Sequence, residues 1–194
     1  LPGNAVICAG LGVGSSEAAA MILARLSGQP LRDFVVSGAD MRQDVMAHHL
    51  VLLNGAHGRD KAATDPLEVL AAFGGFEIGV MAGVMLVAAS RRRLVVVDGM
   101  AACAALRIAS HLAPPVTDYA VFCRSQQHQG LDKAMALFRA TGILELGLDC
   151  IDGTGGALAW PLLRSAAALL TEVADGQEAG PTLPGDITEL STKA

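Results

Sequence analysis

Aromatic side chains are scarce in this chain: its 194 residues include one Trp, one Tyr and five Phe, 4% in all. Lysine is scarcer still, confined to Lys61, Lys133 and Lys193. A general nucleic-acid or anionic-membrane binder needs a basic surface, and a formal net charge of −5 supplies none. The longest apolar stretch, Ile78 to Ser90, falls short of the roughly 20 residues of a spanning helix and stops at Arg91-Arg92-Arg93. A buried core helix is the better reading. There is no initial Met and no signal-peptide pattern, and the first apolar run, Ala5 to Ala9, is already strand-like. The sequence is expected to start inside a larger protein. The four cysteines, Cys8, Cys103, Cys123 and Cys150, are far apart in apolar surroundings. They have neither zinc spacing nor the pattern of a disulfide framework, which suggests reduced structural thiols in a cytoplasmic protein.

What the chain has instead is small and aliphatic. Hydrophobic residues make up 52% and charged residues 17%, which excludes disorder over most of the length. The length allows one domain with a sizeable core. Ala5–Ala9 reads as a strand, Gly10–Ser16 as a turn and Glu17–Leu26 as a helix. Leu31–Val36 reads as a second extended segment, Met41–Leu53 as a helix and Asn54–Asp65 as a loop. Pro66 suits a first helical position with Asp65 as its cap, and Gly74-Gly75 ends that helix before the apolar helix Phe76–Ser90.

Leu94–Val97 is a continuously apolar strand, Met100–Leu112 a helix and Tyr119–Cys123 a strand. A polar loop, Ser125–Gly130, leads into a helix to about Arg139. Ile143–Cys150 is a short segment, and Ala157–Val173 is strongly helical. Residues 1–174 are expected to form one domain and 175–194 a surface tail. Short apolar strands alternating with helices predict an α/β fold, a Rossmann-like parallel sheet with helices on both faces. Such sheets bind ligands beyond the carboxyl ends of their strands.

The loops at those ends carry the candidate chemistry. Gly10-Leu-Gly12-Val-Gly14-Ser15-Ser16 follows a strand and opens a helix. It fails the GxGxxG spacing and has no P-loop Lys. A glycine turn at a helix N-terminus remains, which suits an anion such as a phosphate or is simply a tight turn. Asp152-Gly153-Thr154-Gly155-Gly156 offers a carboxylate as general base. By itself it reads first as a helix cap. Asp98-Gly99 ends a strand and either faces the site or is a turn, with the turn the equal or better reading. His48 and His49 point about 100° apart on a helix, and with His57, His111 and His128 they form no metal pattern. Glu77, inside an apolar helix, is either a partly buried polar contact or part of the solvent stripe. Trp160 and Pro161 fall in the first turns of the last helix.

The run from Asp65-Pro-Leu-Glu-Val-Leu through Phe73-Gly-Gly-Phe-Glu77-Ile78 to Met81-Ala-Gly83 resembles the nicotinate-nucleotide–dimethylbenzimidazole phosphoribosyltransferases. So do Val95-Val-Val-Asp98-Gly99 and Asp152-Gly-Thr-Gly-Gly-Ala-Leu-Ala-Trp-Pro-Leu162. Gly12-Val-Gly14-Ser15-Ser16 resembles the family's Gly-Ile-Gly-Asn-Thr turn, and Gly38-Ala39-Asp40 stands where the family has Gly-Thr-Gly. The resemblance runs in order from about Val6 to Val173.

It implies transfer of 5-phosphoribose from nicotinate mononucleotide to 5,6-dimethylbenzimidazole, giving α-ribazole 5′-phosphate, the lower-ligand nucleotide of cobalamin. It implies no cofactor and no metal, and a homodimer or a heteromer with a homologue. Asp152 falls at the family's catalytic Glu and is implied as the base. It is about one methylene shorter, and a displacement of about 1 Å can cost about a hundredfold in rate. Gly12, Gly14, Ser15, Gly38 and Gly153 are implied at the nucleotide, with Ser125 as a further polar contact.

Several positions depart from the family. A family Glu ahead of the glycine turn is Gly10 here. A family Lys is replaced by His48 or His49. The Ser-Ala-Glu-x-Gly loop becomes Ser125-Gln-Gln-His128-Gln-Gly130, where Ser125 or Gln126 is the match. Family members are roughly twice as long, and their N-terminal part helps to form the base pocket. These departures keep two alternatives open: a non-catalytic nucleotide-binding or partner subunit of the same fold, and an enzyme with a different acceptor base.

Overall fold

A computed structural model describes residues 3–10, 12–35, 42–124, 128–145, 147 and 152–174. Backbone contacts divide the chain into Leu1–Ala159 and Trp160–Ala194. In the first unit, strands β1 (Ala5–Ala9), β2 (Leu94–Asp98), β3 (Ala120–Arg124) and β4 (Gly142–Glu145) form a parallel sheet in the order β1-β2-β3-β4. Val6 pairs with Val95 and Cys8 with Val97, and Val97 pairs in turn with Phe122. Parallel strands need long crossovers. Helices α1 (Ser15–Ser27), α2 (Gln43–His57), α3 (Pro66–Phe73) and α4 (Phe76–Ser90) lie between β1 and β2. Helix α5 (Met100–Leu112) lies between β2 and β3, α6 (Gln129–Ala136) between β3 and β4, and α7 (Thr154–Ala174) after β4.

Strand alternation divides the sheet into two unlike faces. Val6, Cys8, Val95, Val97 and Phe122 point into the main core, where Ile22, Leu23, Ile78, Met85, Leu106 and Ile108 from α1, α4 and α5 are buried. The small side chains of α5, Ala101 to Ala105, let it sit close against the sheet and its neighbours. Ile7 and Val96 point the other way, toward the start of α7, where Gly156 and Ala159 are buried. The expected α/β parallel sheet with helices on both faces is therefore present. In the second unit the described residues are the helical segment 160–174, on which Leu162, Leu169 and Leu170 are exposed.

Three expected elements differ. Leu31–Val36 is not extended: Leu31–Asp33 is a 3-10 turn, with Asp33 N–H on the Pro30 carbonyl at 3.0 Å and Phe34 N–H on Leu31 at 3.1 Å. Pro30 sets the entry, and three-residue spacing lets Leu31 and Phe34 both reach the core, which a period of two would not. Val36 lies outside the described residues. Helix α2 runs four residues past the expected Leu53, to His57. There the Arg25 guanidinium donates to the His57 carbonyl at 2.6 Å, a group that a helix end leaves open, and to the Asp60 and Ala63 carbonyls beyond the helix at 2.6 and 3.2 Å. Helix α7 starts at Thr154, so Pro161 lies inside it rather than in its first turn.

Asp65 caps α3 as expected, its Oδ1 accepting from Leu67 N–H at 2.9 Å with Pro66 behind it. No described helix is long and apolar enough to cross a membrane.

Candidate active site

Because all four strands run the same way, their carboxyl ends share one edge of the sheet. β1 delivers the turn Gly10–Gly14 to that edge, and α1 begins at Ser15. Gly14 takes φ +76 as the residue before the helix, a left-handed conformation that L side chains rarely adopt. Among the described residues neither α1 nor α5 receives a side-chain cap at its N-terminus, and the first N–H of α1, that of Ser15, turns back onto the Gly12 carbonyl at 3.2 Å. Between the two termini lies a narrow cleft of about 20 Å³, lined by Gly10, Gly12, Ser15, Asp98 and Gly99 among others. That volume takes about one water-sized group. The Ser15 hydroxyl is buried on this cleft with no hydrogen-bond partner among the described residues. Gly10 is packed against α5, and a Cβ there would collide with the Ala101 Cβ.

The second loop reaches the same edge from the other face. Gly153, at φ +88, brings its backbone onto β1, where an added Cβ would lie 3.3 Å from the Ala9 Cβ. At Gly156 a Cβ would stand 2.6 Å from Ile7 Cγ2 and 3.3 Å from Val96 Cγ1. Glycine at both positions thus seats α7 on the strand ends. The seat is fastened by Asp98, 3% exposed, whose Oδ2 accepts from Gly156 N–H at 2.9 Å. Asp152 is exposed, and its Oδ1 accepts from the Thr154 hydroxyl at 2.6 Å and the Thr154 N–H at 3.0 Å. Those bonds, the hydroxyl's first, hold its carboxyl below the usual carboxylate range. The loop is therefore an Asx-type turn into α7 that presents an ionised carboxylate.

Of the residues singled out from sequence, Gly12, Gly14 and Ser15 stand on the turn after β1, and Gly153 packs on β1 beside them. Asp152 directly precedes Gly153. Gly38 and Ser125 lie outside the described residues. The sequence leaves Glu77 undecided, and leaves Asp98 between facing the site and a turn, with the turn the equal or better reading. Glu77 is half-buried at the start of α4, with its carboxylate folded over Gly75 and against Gly12. The Gly74-Gly75 pair ahead of it was the visible signal, since a Cβ at Gly75 would strike that carboxylate.

At the end of β3, Arg124 bridges Asp132 at 2.8 Å and Glu145 at 3.4 Å, which closes the sheet's other end. His128 caps α6, its Nδ1 accepting from Leu131 N–H at 3.0 Å. His49 meets Glu17 of α1 at 3.5 Å. Among the described residues no cluster of three or more His, Cys, Asp or Glu is arranged to hold a metal ion. Burial pushes the Cys8 and Cys123 thiols up to about 11 and the Cys103 thiol to about 12. The nearby Asp98 charge adds to the last two, so none of the three is a ready nucleophile.

A parallel α/β sheet with a glycine turn and a carboxylate loop at its strand ends is a Rossmann-like domain, the layout whose strand-end loops hold ligands. The comparisons make the class specific. A family model described as "Phosphoribosyltransferase" matches residues 3–180. The nicotinate-nucleotide–dimethylbenzimidazole phosphoribosyltransferase of Cupriavidus taiwanensis is 44% identical over 170 residues, covering 88% of this chain and 49% of the relative. The enzyme of that name from Variovorax paradoxus is 40% identical over 180 residues, covering 93% and 52%. The crystal structure of CobT from Thermus thermophilus superposes with a TM-score of 0.79 at 28% identity, over 88% of this chain and 51% of that one. The chain belongs to this phosphoribosyltransferase family, and it spans about half the length of the curated relatives it matches.

Proposed function

We propose that the chain is the nucleotide-handling part of an enzyme that transfers 5-phosphoribose from nicotinate mononucleotide to 5,6-dimethylbenzimidazole, releasing nicotinate and α-ribazole 5′-phosphate. The observation that carries the reading is the ionised Asp152 carboxylate on a loop seated against the strand whose next residues are the glycine turn. In the reaction, one benzimidazole nitrogen attacks C1′ with inversion as the bond to nicotinate breaks. Positive charge builds on the ribose in between. The other benzimidazole nitrogen loses its proton to Asp152. Both Thr154 donors occupy Oδ1, which leaves Oδ2 for that proton.

Gly12, Gly14, Ser15, Gly38 and Gly153 approach the nucleotide in this reading, and Ser125 adds a polar contact. The reading includes one domain over residues 1–174, a tail over 175–194, a homodimer or a heteromer with a homologue, and action in the cytoplasm. The three buried free thiols, Cys8, Cys103 and Cys123, support the last.

A second reading, a nucleotide-binding partner subunit without its own turnover, is favoured by the contact at Gly10. The family's Glu at that position has no room here, because Ala101 fills the space that its Cβ would need. Calorimetric titration with nicotinate mononucleotide, with and without 5,6-dimethylbenzimidazole, separates the two. Nicotinate release that requires the benzimidazole supports the transferase. Saturable binding with no release supports the partner subunit. Absence of binding sinks both.

A further inference from the structure

Two polar groups at the glycine turn have no partner among the described residues. The Glu77 carboxylate, near the start of α4, folds back over Gly75 until its Oε1 lies 3.4 Å from where a Gly12 Cβ would stand, and it takes part in no hydrogen bond or ion pair there. Ser15, 6% exposed, meets the same Gly12 position through its Cβ, and its unpaired Oγ lies 3.4 Å from where a Gly10 Cβ would stand. A buried polar group such as the Ser15 hydroxyl is normally satisfied. The glycine at position 12 keeps open the space between them.

The charge at the turn decides what can satisfy them. The α1 and α5 N-termini each supply the equivalent of about half a positive charge. Against them stand two carboxylates, Glu77 on one side of Gly12 and Asp98 in the adjoining cleft. A phosphate dianion would meet net repulsion here. A group that donates hydrogen bonds and carries no negative charge fits that constraint. In a phosphoribosyl donor, the vicinal hydroxyls of the ribose are that group.

We propose that Glu77 binds the donor nucleotide, its carboxylate accepting hydrogen bonds from the ribose 2′- and 3′-hydroxyls with Ser15 Oγ as a second contact. The Gly10–Ser15 turn then holds the sugar, and the phosphate is held elsewhere on the site. This inference rests on the phosphoribosyl reading above.

The test is calorimetric titration of the chain and its Glu77→Gln variant with nicotinate mononucleotide, its 2′-deoxy analogue and inorganic phosphate. Thermal unfolding serves as the folding control. A hydrogen bond to a charged group predicts that the wild-type chain prefers the ribonucleotide by about tenfold to a hundredfold. Glu77→Gln should lose most of that preference and leave the affinity for inorganic phosphate unchanged. Should Glu77→Gln not fold, Glu77→Asp keeps the charge and shortens the reach, and should lower the same preference. Equal weakening of both nucleotides overturns the role of Glu77 while the phosphoribosyl reading stands. Tighter binding of phosphate by Glu77→Gln makes the turn a phosphate site and also overturns it. If the wild-type chain binds neither nucleotide, the phosphoribosyl reading fails first and the Glu77 role with it.

Discussion

The carboxylate of Asp98, at the end of β2, accepts a hydrogen bond from the N–H of Gly156, 58 residues later in the chain, at 2.9 Å in a buried setting. This bond joins the middle of the sheet to the first turn of α7, and so fixes the loop that carries Asp152. Removing the acceptor leaves a buried N–H unpaired, which costs about 1–3 kcal/mol. Asp98→Ala should therefore lower the unfolding free energy by that amount, read as a lower urea midpoint at unchanged slope, and should weaken nicotinate mononucleotide binding. Asp98→Asn keeps an acceptor oxygen and should cost less. Equal stability of Asp98→Ala and wild type would show that the bond contributes nothing net.

Asp152→Asn should retain the turn into α7, because an amide oxygen can still accept from Thr154, while the ability to take a proton is lost. Transfer to 5,6-dimethylbenzimidazole should fall by about a hundredfold to ten-thousandfold with the thermal midpoint little changed. The Thr154 hydroxyl, the largest contributor to the lowered Asp152 pKa, favours the charged form. Thr154→Val should raise that pKa toward the ordinary carboxylate value, so the acid limb of the pH–rate profile should move up. A profile that stays in place in Thr154→Val would remove Asp152 from the proton transfer.

Gly10→Ala puts a methyl group onto the Ala101 Cβ. Overpacking of this kind costs about 1–3 kcal/mol. The double variant Gly10→Ala with Ala101→Gly should recover part of the loss, although glycine inside α5 carries its own penalty of about 1 kcal/mol. Chemical denaturation of the four members of the cycle gives the coupling directly. Additive single effects would mean that the two residues do not meet.

The Arg25 Nε donates to His57 Nε2 at 3.3 Å, a bond that needs the neutral imidazole. Burial first, then the Arg25 charge, holds the His57 pKa below its ordinary 6.5. The unfolded chain therefore takes up the proton more readily than the folded one, so stability rises with pH across this range. The contribution is fully present above about pH 6.5 and fades as pH falls through the lowered folded value. Wild type should lose more of its thermal midpoint than His57→Gln between about pH 7.5 and about pH 5.5. Burial and Arg107 lower His111 in the same direction, so the difference between the two proteins isolates His57.

Most elements were legible because their signals are local. Phe76–Ser90 and Met100–Leu112 begin after glycine, lack internal proline and match their expected limits. Asp65-Pro66 marks a helix start that needs no tertiary partner. The segment after Pro30 was misread because Leu31 and Phe34 have strand-forming neighbours, and only the core decides which spacing is used. The end of α2 was misread because its stop depends on Arg25, 32 residues earlier than His57. At the site, the glycine turn and the Asp152 loop were legible as motifs. The Glu77 carboxylate was not assignable, because its side chain folds back on its own helix terminus to a turn more than sixty residues away in sequence.

By itself the sequence determined most of the strands and helices, that the strands are parallel, and where the glycines and carboxylates that resemble a phosphoribosyltransferase's fall. Those are consequences of local steric preference, hydrophobic period and residue chemistry, all of which act over a few positions. Only the tertiary structure decided which of those loops meet. Asp98 reaches Gly156, Gly153 rests on Ala9, and Glu77 leans on Gly12, each pair brought together by burial of the two faces of one sheet. Burial is collective: it sums over the whole core, and no short stretch of sequence carries it.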